Sequence, residues 1–408
     1  MSKRKIINDP IHGFITISHP IIFDLISHPF LQRLRRIKQL GVSDYVYPGA
    51  EHNRFHHVIG AMHLMEMALN TLELKGHNVS EEEREGALVA ILLHDIGHGP
   101  FSHALENSIL KDVHHEDVSL AFMNRLNIEF KGKLDLAIQI FTNKYEKKFL
   151  HQLVSSQLDV DRMDYLQRDC YFTGVSEGTI GSDRLIKMIN VANNELVVDE
   201  KGIYSIENFI NARRIMYWQV YLHKTCIAAE RMLINVFKRA QELNSKGIET
   251  PCSENLHFFI NNRINTEAFI EKHNVQDTFS ELDDYDMWGA VKSWKKHEDK
   301  ILSFLASGLI NRKLLAIKVS NTPLYEDNIA KMEDRILQEF NCSRDELHYY
   351  LNFGSITNEA YTKGQKINIL KKSGEVIDVA SAADLPNIKA MSKIVRKYYV
   401  CYPKNLSL

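Results

Sequence analysis

The stretch SEEEREGALVAILLHDIG, residues 80–97, constrains this chain more than any other. Ser80 and Glu83 have the spacing of a capping box, acidic residues fill the first turn, and Gly97 stops the run, so a helix is predicted. Its apolar last turns carry His94 and Asp95 into an apolar setting. A carboxylate buried there without a partner is costly. Metal coordination removes that cost, because a divalent cation accepts neutral imidazole and anionic oxygen together. Neighbouring helical residues point about 100° apart. Both can reach one ion if the helix ends at this point, and Gly97, Gly99 and Pro100 end it. Further ligands must come from elsewhere. NRFHHVIG offers His56 and His57, and LDVDRMDY offers Asp159 and Asp161. One upstream histidine and one downstream aspartate would complete a His-His-Asp-Asp set with positions open for water.

The rest of the pattern is mostly helical. Residues 28–41, 58–76 and the runs HHEDVSLAFMNRL and LVSSQLDVDRMDYLQRD have apolar residues at helical spacing. Residues 194–206 are predicted as a hairpin turning near Gly202, followed by one long helix from about Ile206 to Leu243. From Arg312 the texture changes. RKLLAIKVS reads as a strand, YEDNIAKMEDRILQEF as a helix, and QKINILKKSGEVIDVAS as a hairpin turning at Ser373-Gly374. The expected architecture is therefore mostly α: a helical core over 1–311 and a smaller α+β lobe over 312–408.

Composition narrows the function. Lys plus Arg is 50 against 52 for Asp plus Glu, a net charge of -2, so the surface as a whole does not favour a polyanion. Nucleic acid is not indicated. The five cysteines, Cys170, Cys226, Cys252, Cys342 and Cys401, are odd in number, dispersed and without a CxxC. They suit a reduced compartment. The opening MSKRKIINDPIHG lacks the apolar core of a signal peptide, and no run of about 18 apolar residues exists. The expected location is cytoplasmic, with no membrane span.

A series of motifs then identifies a family. NDPIHG, FLQRLRRIKQLG, YPGAEHNRFHH, LLHDIGHGPFSH, LDVDRMDYLQRDC and RRIMYWQVYLHK follow one another between about residues 6 and 235. The series resembles the HD-domain phosphohydrolases, and among them the deoxynucleoside triphosphate triphosphohydrolases. The C-terminal lobe carries a weaker echo. The resemblance implies that His57, His94, Asp95 and Asp161 hold a divalent metal, with Fe, Mn, Ni, Zn and Mg all compatible with such ligands. His56 stands where the family is usually acidic or polar and is left out.

The resemblance also assigns roles beyond the metal. His103 and Glu106 share a helical face at i, i+3 and match the acid–base pair, and His98 and His115 match histidines lining the phosphate site. Arg54, Arg162 and Arg213 match phosphate-binding positions. Asp161, Tyr165 and Asp169 recur at i, i+4, i+8, a polar stripe where a core helix would be apolar. Within that stripe, the resemblance gives Tyr165 and Asp169 to a deoxyribose. Gln39, Leu40 and Tyr221 match residues near the same sugar and pocket. Tyr217 stands where the family has histidine. Nucleotide-activated relatives read guanine with an acidic residue at the position of Ser27 and bind activator phosphates with hairpin arginines, where this chain has only Lys201. A guanine activator site is not expected.

The implied activity is hydrolysis of a deoxynucleoside triphosphate to deoxynucleoside and triphosphate by a homo-oligomer, dimer or tetramer. One alternative is an HD phosphohydrolase acting on a nucleoside monophosphate, an alarmone or a cyclic nucleotide. Another is a nucleotide-binding regulator with a vestigial site.

Overall fold

The computed structural model describes residues 5–101, 110, 112–323, 326–358, 366–382 and 395–406. Helices dominate, and a smaller α+β lobe occupies the C-terminal part. Five helices build the site and are labelled here α1 (Arg54–Leu74), α2 (Glu81–Leu93), α3 (His115–Glu129), α4 (Val160–Thr173) and α5 (Ile203–Met216). One continuous apolar cluster runs from Ile15 to Leu406 and includes all of ALVAILL in α2. That helix is therefore central, and its capping box of Ser80 and Glu83 is formed.

Strands Lys5–Asp9 and Gly13–Ile17 pair as an N-terminal hairpin. A three-stranded sheet in the lobe has Val395–Tyr402 at its centre, flanked by Ala316–Ser320 and Asn352–Asn358. A four-stranded sheet joins core to lobe. In it Glu195–Asp199 runs parallel to Asn368–Leu370, with Val198 opposite Ile369. The lobe hairpin turns at Gly374, whose φ of 86° needs glycine.

Several local expectations are corrected. The core hairpin is Ile189–Ala192 with Glu195–Asp199, so it turns at Asn193-Asn194 rather than Gly202. Both asparagines have positive φ, as a tight two-residue hairpin turn requires. Gly202 instead precedes α5, where a Cβ would meet Val198 and Met188. The run LVSSQLDVDRMDYLQRD is two helices, Lys148–Val154 and α4. Asp159 separates them by accepting the backbone N–H groups of Ser156 and Arg162. The long helix from Ile206 is interrupted by a π-helical turn at Tyr217–Tyr221 before resuming at Lys224–Ser245. Residues 29–36 are a short helix followed by a 3₁₀ turn, and no helix continues to Gly41.

Candidate active site

α2 ends at Leu93, so His94 and Asp95 sit in the turn beyond it. The turn is tight because Gly97 lies under α3. A Cβ on Gly97 would stand 2.3 Å from both the His115 carbonyl oxygen and the Ser119 nitrogen. Ser119 ties the two elements by donating to the His94 carbonyl and accepting from the Gly97 N–H. α1 starts at the N-cap Asn53, and His56 completes its capping box, which turns that side chain to backbone work and leaves His57 facing inward.

Ligand atoms of His57, His94 and Asp161 meet where these elements converge with α4, and Asp95 stands beside them. His57 Nε2 lies 3.0 Å from Asp161 Oδ1 and 3.8 Å from Asp95 Oδ2. His94 Nε2 lies 3.3 Å from Asp95 Oδ1 and 3.5 Å from Asp161 Oδ1. The Nδ1 atoms are committed elsewhere. His94 Nδ1 donates to the Ile91 carbonyl at 2.6 Å, and His57 Nδ1 faces Asp164 Oδ2 at 2.8 Å. Both Nε2 atoms are buried without a hydrogen-bond partner. Two buried imidazole nitrogens gathered with the Asp161 carboxylate, and Asp95 alongside, are what a divalent cation satisfies, and the outer contacts on Nδ1 fix the ring orientation a ligand needs. The electrostatics agree. Burial opposes charge on His57, yet its contacts with Asp161 and Asp164 override this and push it up to about 10. Burial likewise opposes charge on Asp161, but His57 and His94 hold it well below the usual carboxylate range. The site demands positive charge.

Asp95, His98 and His115 form a second cluster able to hold a metal ion. His98 Nε2 lies 3.3 Å from Asp95 Oδ1, and the His98 and His115 rings stack at 4.0 Å. Burial and the Arg54 charge hold His98 well below its usual pKa, so it is neutral. Arg54 itself bonds Asp95.

These groups open into a cavity of about 460 Å³. Of the residues singled out from sequence, Arg54, Asp95, His98, His115, Asp161, Tyr165, Asp169, Tyr221, Gln39 and Leu40 all line it. His57 and His94 lie in the buried wall behind. Arg162 and Arg213 do not line it: Arg162 bonds Asp159, and Arg213 Nη1 donates to Gln157 at 2.9 Å. His103 and Glu106 lie outside the described residues.

The α4 stripe is realised. Asp161, Tyr165 and Asp169 face the cavity together, and the π-helical turn puts Tyr217 and Tyr221 opposite them. Such turns commonly mark functional sites. Tyr221 donates to Asp169 Oδ2 at 2.7 Å, and His52 Nε2 lies 2.7 Å from Asp169 Oδ1. Ser27, at the position discussed for activator binding, donates back to the Phe23 carbonyl of its own helix.

Sequence reasoning missed His52, Asp164 and Glu230. The first histidine of EHNRFHH was a signal for His52, and the third aspartate of DVDRMD for Asp164. Glu230 gave none, because only the fold brings it to the cavity wall. Burial pushes Glu230 up to about 7, with the Arg231 charge opposing. A carboxyl raised in the folded state stabilises it fully below its ordinary 4.5 and loses that contribution as pH rises through about 7. Glu230→Gln is therefore expected to change little near pH 4.5 and to stabilise the protein at pH 8. The gain should be on the order of 1–2 kcal/mol, discounted for solvent at the cavity wall. Thermal melts of both proteins across that range check it, and a pH-independent gain would assign the effect to packing.

Residues 54–169 match the HD domain family model, and residues 180–251 match the HD associated region. The crystal structure of a phosphohydrolase from Bacteroides thetaiotaomicron superposes with a TM-score of 0.94 at 51% identity, covering 98% of this chain and 100% of that one. The uncharacterized protein YwfO of Bacillus subtilis is 31% identical over 100% of this chain and 94% of its own length. Human deoxynucleoside triphosphate triphosphohydrolase SAMHD1 is 30% identical over 59% of this chain and 45% of its own length.

Proposed function

Since the chain belongs to the HD-domain phosphohydrolase superfamily, close to its deoxynucleoside triphosphate triphosphohydrolases, we propose that it cleaves deoxynucleoside triphosphates to deoxynucleoside and triphosphate. One observation carries this reading: the helix that supplies Asp161 to the ligand cluster also presents Tyr165 and Asp169 to the same cavity. A phosphate and its sugar are thereby addressed by a single element.

His57, His94, Asp95 and Asp161 would hold the divalent cation. When bound, such an ion supplies Lewis acidity at a phosphoryl oxygen and lowers the pKa of a coordinated water. The chain does the rest. Arg54 sits at the cavity wall beside Asp95 and offers guanidinium N–H groups to phosphate oxygens. Neutral His98 and the stacked His115 adjoin the same region. Arg162 and Arg213 contribute positive charge from behind the wall. Water attacks the α-phosphorus, the bond to the 5′-oxygen breaks, and His103, supported by Glu106, protonates that oxygen. Asp169, held by His52 and Tyr221, accepts from the 3′-hydroxyl, while Tyr165 packs against C2′. Gln39 and Leu40 complete the sugar end.

The reading further takes residues 1–311 as the catalytic core and 312–408 as a lobe braced against it through the shared sheet. It places the protein in the cytoplasm as a homo-oligomer, and Ser27 and the hairpin argue against a guanine activator site. Among the described residues, no helix is long and apolar enough to cross a membrane. The test is a panel of deoxy- and ribonucleotides with Mn²⁺, Mg²⁺, Fe²⁺, Ni²⁺ and Zn²⁺, with products resolved. Release of intact triphosphate is expected. Orthophosphate or pyrophosphate would point instead to an HD phosphohydrolase of another substrate class.

A further inference from the structure

We propose that the N-terminal hairpin is a working part of the cation site: Asp9 and His12 are positioning residues that fix the His57 imidazole through Asp164 and Arg168. The proposal rests on His57 being a metal ligand. It accounts for NDPIHG, a motif that hydrolysis as described leaves unused.

The hairpin turn is held by Asp9, whose Oδ1 accepts the N–H groups of Ile11 at 2.9 Å and His12 at 3.0 Å. That turn aims the His12 ring inward, and its Nε2 reaches Asp164 Oδ1 at 2.7 Å. The other oxygen of Asp164 faces His57 Nδ1 at 2.8 Å. Arg168 closes the ring. It donates through Nε and Nη2 to Asp164, both at 2.9 Å, and through Nη1 to Asp9 Oδ2 at 2.8 Å. The Asp164 and Arg168 side chains are 0% exposed and the His12 side chain 6%. The fold also makes room for them at Gly60 of α1, where a Cβ would stand 2.0 Å from Asp164 Oδ1 and 2.2 Å from Arg168 Nη2.

Stability alone does not call for this arrangement. The hairpin already anchors itself by burying Ile15 and Ile17. Taking Asp9 and His12 out of water adds desolvation cost. What they return is a carboxylate at Asp164 that cannot rotate. Two carboxylates and one guanidinium leave a net negative charge behind His57 Nδ1. That charge orients the ring and strengthens Nε2 as a donor, the usual task of an outer carboxylate behind a metal-bound histidine.

The test is Mn²⁺ affinity of chelator-stripped protein, measured by calorimetry alongside thermal melts of the metal-free forms. His12→Ala is expected to weaken Mn²⁺ binding by about 10–100-fold, the usual cost of losing an outer partner. His12→Gln should recover most of it, because its carboxamide N–H reaches where Nε2 does. Asp9→Asn, which keeps the shape, should lie between them and serves if His12→Ala fails to fold. Asp161→Ala is the control. Wild type and Asp161→Ala binding Mn²⁺ equally would sink the cation site itself. Wild-type binding above that control, with folded His12→Ala and Asp9→Asn within about threefold of wild type, would overturn the relay alone. So would His12→Gln binding no better than His12→Ala.

Discussion

Asp161→Ala is expected to lose bound cation and, with it, turnover. Asp161 Oδ1 lies between both imidazole nitrogens, 3.0 Å from His57 Nε2 and 3.5 Å from His94 Nε2. Removing it takes away one of two anionic donors, so affinity should fall by more than the roughly 10–100-fold that losing an outer partner costs. Activity should fall by at least about a thousandfold, since Lewis-acid assistance contributes several kcal/mol and each decade of rate is about 1.4 kcal/mol. The fold should survive, because Asp161 stands in the first turn of α4 and its N-cap is Asp159. Elemental analysis with circular dichroism decides the matter. Full metal occupancy in a folded variant would show that the ligand set is misassigned.

The second large effect concerns the sugar. Wild type is expected to prefer deoxyribonucleoside triphosphates over their ribo counterparts by about tenfold to a hundredfold. A 2′-hydroxyl pressed against Tyr165 loses water without gaining a partner, at a cost of about 1–3 kcal/mol. The ring cannot easily give way, since Tyr221 packs edge-on against it with centroids 6.2 Å apart and the His57 ring lies 6.4 Å away. Tyr165→Ala should bring the ratio of kcat/KM values close to one by opening that space. Asp169→Asn should instead lower kcat/KM for deoxynucleotides with the ratio kept. Its amide cannot accept from both His52 and Tyr221 as the carboxylate does, and it weakens the 3′-hydroxyl contact. Equal wild-type values for the two sugars would remove the sugar role from this stripe and favour the broader phosphohydrolase reading.

Sequence alone determined what depends on neighbours along the chain. The capping box of Ser80 and Glu83, the apolar run after it and the glycines that end it set where His94 and Asp95 emerge. The spacing of Asp161, Tyr165 and Asp169 put them on one face, because a helix repeats every 3.6 residues whatever surrounds it. The motif series pointed to the same residues through family resemblance. Local pattern could not separate Asp159, Asp161 and Asp164, three carboxylates within six positions. The fold gave one to a helix cap, one to the ligand cluster and one to the back of His57. Nor could it show that Arg162 and Arg213 turn to Asp159 and Gln157 rather than into the cavity. The hairpin near Gly202 was misplaced because glycine marks a turn by permission, whereas two asparagines with positive φ made this one. Tertiary structure alone brought His52 to Asp169 across 117 positions, His12 to Asp164 across 152 and Arg168 to Asp9 across 159. Buried polar groups must find partners wherever the packed core leaves them, and that choice depends on how helices pack, which no local periodicity records.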